Sequence, residues 1–544
     1  MRPSRYDETG RLRPGSSDRR QVSRLNPPNR LWGSNGVSFG PDGRLYVAQF
    51  LAGQISAVEP ASGDVEVVVP LDGPVEAPDD LAFGADGSMY IADLTPGRVW
   101  RRSPEGAYSL VTDAVTVPNG ITCVGDRLFV NEMRTNGRLL ELFPDGGEPV
   151  VLTDGLALGN AMQLGPDGLL YYPHMIGNQV WRISPDGGVP ELVAEEVDDP
   201  VAVRFDLGGV LVVLSRGPAG IVTRIDLATG ARTVTASGLA GLDNAAFDAE
   251  NRMFVSSYAG GGITEMHTDG RTRALVPRGF NGPFGVTAGH GGTVYAADHF
   301  RLARLGDRDG ARESDGARES DALTVDLLHF ARGLAADGAV LHVTTGLGEV
   351  RTWDPAGKTS RVRAAGLDDP TGITVTPDGC LVVAETGAGR VLRIDAADTV
   401  TVLADGLGHP VDVALDAEQR CYVSDDRLGA VLRLGEDGET VTVADGLGAP
   451  QGLVVVGDEL FTVETAHRRL SSVSLTTGAV TTEADGLPVG LPPGITRTEP
   501  APVPGIPHRP RHFAGLALAP DGALLLSANG EGTVLRLSPH ERTS

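Results

Sequence analysis

Twelve copies of one short pattern run along this chain of 544 residues, and polar residues recur at one position of the first six copies. Residues 35–49 read NGVSFGPDGRLYVAQ and residues 371–385 read TGITVTPDGCLVVAE, with the same turn between two apolar runs. Alignment on that turn gives one equivalent position per copy, called here the ring position. In the first half it holds Asn35, Asp79, Asn119, Asn160, Val201 and Asp243.

These ring positions are predicted to converge, and the oxygens of Asn and Asp are ligands that suit a hard cation. The sequence therefore predicts one divalent metal ion (Ca²⁺, Mg²⁺ or Mn²⁺) as a cofactor. Two carboxylates would balance the charge of one such ion. The predicted ligands are Asn35, Asp79, Asn119, Asn160 and Asp243. The alternative is that these side chains form turns by hydrogen bonding to nearby backbone groups.

Candidate catalytic residues lie at the end of the second apolar run of each copy. Asp93, Glu132 and His174 are titratable and are predicted to exchange protons with a substrate or with water. Acids also recur there in the second half, as Asp298, Glu385, Asp425 and Glu464. Bonding within or between repeats is therefore the alternative explanation for Asp93 and Glu132.

The second six copies have a different set of ring positions. They hold Phe284, Arg332, Thr371, Val411, Gln451 and Ala514. Phe, Val and Ala cannot coordinate a cation or transfer a proton, and an arginine would repel a cation. The sequence thus predicts that any activity belongs to the first half. The second half is expected to stabilise the first, to shape the site or to bind a protein partner.

The repeat itself predicts the fold. A period near 40 residues with four short strands per copy is typical of a β-propeller blade. Twelve copies predict an all-β protein of two tandem six-bladed propellers with four-stranded antiparallel blades. The predicted limits are 1–30 for an N-terminal tail able to supply a closing strand, 31–278 for the first propeller and 279–540 for the second. The charged repeat GARESD at 310–321 and the Pro- and Gly-rich segment 483–512 are predicted loops.

The amino-acid composition narrows the classes of function that are expected for this protein. A net charge of −25 opposes binding to nucleic acids and anionic membranes, and it is compatible with a cation or a small-molecule substrate. The three dispersed cysteines, Cys123, Cys380 and Cys421, are predicted to be reduced thiols. The N-terminal residues contain no apolar signal segment and no stretch is long enough to span a bilayer, so a cytoplasmic location is expected.

The repeats resemble the gluconolactonase/regucalcin-like superfamily of six-bladed propellers, which is related to NHL-repeat and strictosidine-synthase-like propellers. LVVAETGAGRVLRID (381–395) is similar to the strictosidine-synthase-like consensus, and LDNAAFDAENRMFVSS (242–257) is similar to the Asp-Asn strand start of paraoxonases. Hydrolases of this superfamily hold a metal through a Glu of blade 1, Asn of blades 3 and 4 and an Asp of a later blade. Asn119 and Asn160 match by blade, whereas Asn35 and Val201 depart from the pattern, and Asp243 would replace the missing Asp.

The resemblance implies a metal-dependent hydrolase of the lactonase type that acts on a small molecule at one end of the first propeller. Two alternatives are a lyase or cyclase of the streptogramin-lyase or strictosidine-synthase type and a binding scaffold without enzymatic activity. Blade motifs specify the fold much better than the reaction.

Overall fold

The computed structural model of the protein describes residues 11–305, 322–328, 330–435, 438–492, 494–495 and 513–540. These residues form twelve sheets, each of four antiparallel strands, so the all-β prediction is confirmed. Two short 3₁₀ helices, Met175–Gly177 and His290–Gly292, are also present. No helix of the described residues has the length and apolar character needed to cross a membrane. The charged repeat at 310–321 lies outside the described residues.

The first six sheets follow the chain in order after β1 (Arg20–Arg24). They are β2 to β5 (Ser34–Phe39, Leu45–Gln49, Gln54–Val58, Val65–Val69), β6 to β9 (Pro78–Phe83, Met89–Asp93, Arg98–Arg102, Tyr108–Thr112) and β10 to β13 (Pro118–Val124, Arg127–Glu132, Thr135–Leu142, Val150–Ala157). Next come β14 to β17 (Gln163–Leu164, Leu170–His174, Gln179–Ile183, Glu191–Ala194), β18 to β21 (Pro200–Phe205, Leu211–Ser215, Ile221–Ile225, Arg232–Ala236) and β22 to β25 (Leu242–Phe247, Met253–Ser257, Ile263–Met266, Thr272–Val276).

The other six sheets repeat this arrangement. They begin with β26 to β29 (Val286–Ala288, Val294–Asp298, Arg301–Leu305, Ala322–Asp326), β30 to β33 (Ala331–Asp337, Val340–Thr345, Glu349–Asp354, Thr359–Ala364) and β34 to β37 (Pro370–Val375, Leu381–Glu385, Arg390–Ile394, Val400–Ala404). They end with β38 to β41 (Pro410–Leu415, Cys421–Asp425, Ala430–Leu434, Thr440–Ala444), β42 to β45 (Pro450–Val456, Glu459–Glu464, Arg469–Ser474, Val480–Ala484) and β46 to β48 (Leu516–Leu518, Leu524–Ala528, Thr533–Pro539).

The sheets close into two rings of six. Strand β2 of the first sheet contacts both β6 of the second and β22 of the sixth, and β26 likewise contacts β30 and β46. The first strand of each sheet therefore lies innermost, around a central channel. We call the end of each channel where inner strands begin and second strands finish its mouth.

Both faces of the second strand are buried in each sheet, which explains why these strands are largely apolar. In β3, Leu45 and Val47 pack against Phe254 of the sixth sheet, while Tyr46 and Ala48 pack against Ile91 of the second. Successive side chains of a strand point to opposite faces. The alternation that marks a half-exposed strand is therefore lost where neighbouring blades cover both faces.

Strand β1 completes the last sheet of the second ring. It pairs antiparallel with β48, with Arg20 opposite Pro539 and Arg24 opposite Leu535. Two buried acids fix it there, because Glu483 pairs with Arg20 at 2.9 Å and Glu531 pairs with Arg24 at 2.7 Å. The first ring has no exchanged strand and closes through contacts such as the 2.5 Å bond from the Ser256 hydroxyl to the Asn35 carbonyl oxygen.

In seven of the twelve blades a hydrogen bond ties the start of the blade to its second strand. A side-chain oxygen at the end of the second strand accepts a backbone N–H from the segment that leads into the inner strand. Five of the pairs are Gln49 with Trp32, Asp298 with Asn281, Glu385 with Asp368, Asp425 with His409 and Glu464 with Gly448, at 2.6 to 3.0 Å. We call this bond the entry latch.

Replacing Arg24 with Met should destabilise the second ring, because Glu531 is 1% exposed and would become a buried charge without its guanidinium. A loss of about 3 kcal/mol in the free energy of unfolding is expected. Urea denaturation followed by tryptophan fluorescence would measure it. Arg19→Met is a matched control, because Arg20 still neutralises Glu483 when Arg19 is removed. Equal midpoints for the two variants would contradict this role of Arg24.

Candidate functional site

The predicted ligands of the first ring lie together at its mouth. The Asn35 side-chain amide donates to an Asp79 carboxylate oxygen at 3.1 Å. Asn119 and Asn160 share one neighbour, since both side-chain amides point at the sulfur of Met133, at 3.1 and 3.7 Å. The structure therefore brings residues from four blades to one place, as the alignment of the repeats predicts.

Asp79 and Asp243 repel each other. Burial and then the neighbouring charge of Asp80 raise the pKa of Asp79 from its ordinary value of 3.8 to about 8. Burial raises the pKa of Asp243 as well, with further upward contributions from the charges of Asp79 and Asp80. Asp79 and Asp243 are only 5% and 6% exposed. Two ionised carboxylates are thus unfavourable here unless a cation compensates them.

Two amide oxygens beside these acids lack a hydrogen-bond donor. Among the described residues, the side-chain oxygens of Asn35 and Asn119 are buried and accept no hydrogen bond. The Asn160 oxygen, in contrast, accepts from the backbone N–H of Ala161 at 2.7 Å, which is the turn-forming role. The ring thus offers two carboxylates and two unsatisfied oxygens. It contains no group of three His, Cys, Asp or Glu placed to hold a metal, and neither does any other described part of the chain.

A buried arginine lies deeper in the same channel. Arg204, on inner strand β18, donates to the carbonyl oxygens of Ala245, Met162 and Val203, each at 2.9 Å. Burial lowers its pKa, and the charges of Asp80 and Asp243 oppose that shift. Alignment of the repeats did not identify Arg204, because it stands three places after ring position Val201, inside an apolar strand.

Asp80 is the acid that faces Arg204, and it is held by backbone donors. Its carboxylate accepts the N–H groups of Leu81 at 2.9 Å and Ile121 at 3.2 Å, and the Asn244 side chain donates to it at 3.3 Å. Burial nevertheless raises its pKa to about 6, against the charge of Arg204. Asp80 thus links its own inner strand β6 to β10 of the next blade and to β22 of the sixth blade.

Apolar side chains cover the ring. Met133 and Met175 each follow the end of a second strand and place their sulfur atoms against the Asn160 amide, at 3.7 and 3.3 Å. Phe50 and Tyr258 belong to one buried cluster with Phe300, which comes from the second propeller. The ring centroid of Phe300 lies 6.4 Å from that of Phe50 and 5.3 Å from that of Tyr258. The second propeller therefore covers part of the first mouth.

His174 is turned toward aromatic neighbours. Its ring stacks on Trp181 with centroids 5.5 Å apart, and Tyr172 lies 5.7 Å away. Burial lowers the pKa of His174 to about 4, so the imidazole is neutral near pH 7. Its Nε2 atom is buried and has no hydrogen-bond partner among the described residues. A neutral imidazole nitrogen of this kind can accept a proton.

Asp93 and Glu132 both form the entry latch. Asp93 accepts the backbone N–H of Ala77 at 2.6 Å, and Glu132 accepts that of Thr116 at 3.0 Å. Glu132 also pairs with Arg138 at 2.5 Å. Burial raises the pKa of Glu132, but the bonds from Arg138 and Thr116 outweigh burial and hold the pKa below its ordinary value. These contacts favour the structural explanation for both acids over a role in proton transfer.

The second ring has a different centre. Phe284 and Val411 come from opposite blades and meet with Phe513 in one buried apolar cluster. The oxygen of Gln451 accepts the backbone N–H of Ala514 at 2.8 Å. Apolar packing therefore occupies this channel at the level where the first ring presents oxygens. The three cysteines are free thiols.

A scan against sequence models of protein families finds no match, and a search of curated proteins finds none either. The search of solved structures finds β-propeller proteins. A streptogramin B lyase structure is 18% identical, covers 52% of this chain and 95% of its own, and has a TM-score of 0.38. A nidogen/laminin complex is 17% identical, covers 43% of this chain and 96% of its own, and has a TM-score of 0.33.

A third structure matches along nearly the whole chain. It is the extracellular domain of a protein described as a hybrid two-component system from B. thetaiotaomicron. It is 9% identical, covers 96% of this chain and 83% of its own, and has a TM-score of 0.32. At these identities and TM-scores the neighbours support no statement about activity, and the description of the fold depends on the twelve sheets themselves.

Replacing Asp79 with Asn should stabilise the metal-free protein at pH 8. With a pKa near 8 in the folded state and 3.8 ordinarily, Asp79 holds a proton in the folded protein that the unfolded chain releases. Its contribution to stability therefore falls as the pH rises from about 4 to 8. The variant should be more stable by about 2 kcal/mol at pH 8, with a flatter pH dependence.

Thermal unfolding in the presence of a chelator, at pH 5 to 8, would measure this effect. Asp154→Asn is the control, since it removes an equal charge at an exposed position. If Asp79→Asn had a lower unfolding midpoint than the unmodified protein at pH 8, ionised Asp79 would not be destabilising in the folded state.

Proposed function

We propose that the first propeller binds one divalent cation at its mouth and acts as a metal-dependent hydrolase of the gluconolactonase type on a small molecule. One observation carries the proposal. Asp79 and Asp243, two buried carboxylates whose pKa values are raised by burial and by neighbouring carboxylates, lie beside the unsatisfied oxygens of Asn35 and Asn119. A buried polar atom without a partner costs about 1 to 3 kcal/mol, and a cation would satisfy both oxygens.

The charges near the ring fit one divalent ion. Asp79, Asp80 and Asp243 contribute three negative charges when ionised, and Arg204 contributes one positive charge. The remaining two negative charges equal the charge of one Ca²⁺, Mg²⁺ or Mn²⁺. Carboxylate and amide oxygens are also the ligands that these ions prefer. The side-chain oxygen of Asn160 already accepts the N–H of Ala161. It would bind the ion only through its second lone pair.

When bound, such an ion would polarise a substrate carbonyl toward attack by water. The chain's own residues would perform the remaining tasks. Asp79 and Asp243 would anchor the ion, and Asn35 and Asn119 would orient it. Met133, Met175 and Phe50 would exclude bulk water from the mouth. His174, neutral near pH 7, is the candidate for accepting a proton, while Asp93 and Glu132 maintain the blades that carry the ring.

The resemblance to the gluconolactonase/regucalcin-like superfamily supports the reaction type. Asn119 and Asn160 stand in the blades that supply asparagine ligands in that superfamily. Asp243 stands one blade after the position of its later aspartate, which is Val201 here. We therefore propose lactone hydrolysis as the reaction. The cation site is the part of this proposal that is tested first.

A second candidate is a cation-stabilised binding scaffold. The observation that favours it is the apolar cluster of Phe50, Tyr258, Phe300 and Phe330, through which the second propeller packs on the first mouth. A site used for turnover needs a path for substrate, and this cluster closes part of the mouth. In that case the cation would hold the blades of the first ring together.

Replacing Asp243 with Ala should reduce cation binding by about 10-fold to 100-fold, because it removes a ligand and half of the balancing charge. Elemental analysis of purified protein, followed by titration of the chelator-treated protein with Ca²⁺, Mg²⁺ and Mn²⁺, would measure binding. Thr371→Ala, at the same repeat position in the second ring, is the control and should keep full affinity.

Measurement of substrate turnover distinguishes the hydrolase from the binding scaffold. A panel of lactones and esters should reveal hydrolysis by the metal-loaded protein, and Asn119→Ala and Asp243→Ala should abolish it. Cation binding without hydrolysis across the panel would favour the scaffold. Full cation binding by Asp243→Ala would overturn the proposed site.

A further inference from the structure

The residue directly after the second strand of each blade lies at the channel mouth, and its character differs between the two rings. In the first ring five of these six residues are apolar or aromatic, whereas in the second ring none is apolar. The first-ring residues are Phe50, Leu94, Met133, Met175, Arg216 and Tyr258. The second-ring residues are His299, Gly346, Thr386, Asp426, Thr465 and Asn529. The first mouth thus combines oxygen atoms at its ring positions with apolar side chains around them.

Part of this apolar set holds the two rings together. Phe50 and Tyr258 are buried in the aromatic cluster that joins the rings. Among the described residues, Met175 and Ile176 of the fourth blade lie outside that cluster. Met175 places its sulfur 3.3 Å from the Asn160 amide nitrogen, and Ile176 is 57% exposed. The apolar side chains of the fourth blade therefore have a role other than contact between the rings.

A left-handed backbone conformation places one more apolar side chain at this mouth. The residue two places before the ring position has a positive φ in several blades, as Gly33 does with φ 52°. Val117 and Leu158 occupy that position with φ 52° and 58°, but only Val117 belongs to the cluster between the rings. Leu158 donates its N–H to the Arg134 carbonyl oxygen at 3.3 Å, and its own carbonyl oxygen accepts the N–H of Met175 at 3.2 Å. Bulky residues adopt this geometry at a cost, and such strain is concentrated at functional sites.

We call four side chains of the third and fourth blades the apolar wall: Met133, Leu158, Met175 and Ile176. The wall lies beside the ring, because the sulfur of Met133 is 3.1 Å from the amide nitrogen of Asn119. Methionine side chains are flexible and adapt to apolar groups of different shape. The polar pair of the next blade is already satisfied, since Arg216 donates to Asp199 at 2.6 Å. The wall thus offers contact with apolar atoms next to the oxygens of the ring.

We propose that the substrate of the first mouth is a lactone or ester with an apolar substituent, which packs against the apolar wall. This inference rests on the proposed hydrolase function and names its substrate class. Water would add across the acyl C–O bond, which gives a carboxylic acid and an alcohol. Each methylene group that becomes buried against the wall would raise kcat/KM by about fourfold. A sugar lactone would instead bury hydroxyl groups against apolar atoms, which weakens its binding.

Hydrolysis of a graded set of lactones tests the substrate class. γ-Valerolactone, γ-heptalactone and γ-nonalactone carry methyl, propyl and pentyl groups on the same ring, and glucono-δ-lactone represents the sugar lactones. The metal-loaded protein should hydrolyse γ-nonalactone with a kcat/KM at least about 10-fold above that for γ-valerolactone. The value for glucono-δ-lactone, corrected for spontaneous hydrolysis, should be lower than that for γ-nonalactone. Equal values for the γ-lactones would overturn this inference and leave the proposed hydrolase function intact.

A binding measurement separates this inference from the hydrolase proposal. 2-Methylcyclopentanone and 2-pentylcyclopentanone present a carbonyl group and the same substituents, but water cannot cleave them. Calorimetric titration of the purified protein should show that the pentyl compound binds at least about 10-fold more tightly. That preference without hydrolysis of any lactone would overturn the hydrolase proposal and support the apolar wall as a binding site. Equal affinity for the two ketones, or binding of neither, would overturn the wall.

Met133→Gln is the matched variant, because glutamine has nearly the length of methionine but ends in a polar amide. Met133 is only partly buried, so the variant should fold. Its ratio of the two ketone affinities should fall by about fourfold or more, whereas Met133→Leu should keep the ratio of the unmodified protein. Leu428→Gln, which changes an exposed leucine of the second propeller, is the control and should also keep it. An unchanged ratio in Met133→Gln would show that the wall is not the contact.

Discussion

The entry latch, which recurs in seven of the twelve blades, is the interaction that positions inner strands in both rings. Each blade begins with a segment that arrives from the outer strand of the blade before it, and the backbone N–H groups of that segment need acceptors once buried. An oxygen at the end of the second strand supplies one, as Asp93, Asp298, Glu385, Asp425 and Glu464 show. The bond fixes where the inner strand starts. In the blades that have it, the bond thereby sets how far along the channel the ring position lies.

This constraint explains why acids at the channel mouths are poor guides to catalysis. A carboxylate that accepts backbone N–H groups and faces an arginine, as Glu132 does with Thr116 and Arg138, has no lone pair oriented toward a substrate without breaking those bonds. The ring acids Asp79 and Asp243 differ, because the neighbours that shift their pKa upward are other carboxylates. The chemical environment, and not the residue type, separates the two sets.

The sequence predicted most of the fold, because each blade is a local pattern of four short strands and turns. It also predicted that Asn35, Asp79, Asn119 and Asn160 would lie near one another, since equivalent positions of a closed repeat must converge. It could not predict Arg204, whose carbonyl acceptors Ala245 and Met162 lie in other blades. Nor could it predict that Phe300 covers the first mouth, because that contact depends on how one ring lies on the other. The repeat period of the sequence predicts the strands and turns of one blade. It does not predict the contacts between the two rings.

The pairing of β1 with β48 has a consequence for how the molecule is assembled. The strand made first, Arg20–Arg24, finds its partner only when Thr533–Pro539 emerges, more than 500 residues later. In topological terms the first propeller is an insertion in the second, between its closing strand β1 and its first strand in sequence after the insertion, β26. It can close on its own during synthesis, whereas the second ring stays open until the final strands are made. A circular permutation that joined the neighbouring ends of β1 and β48 would turn this last long-range closure into a local hairpin.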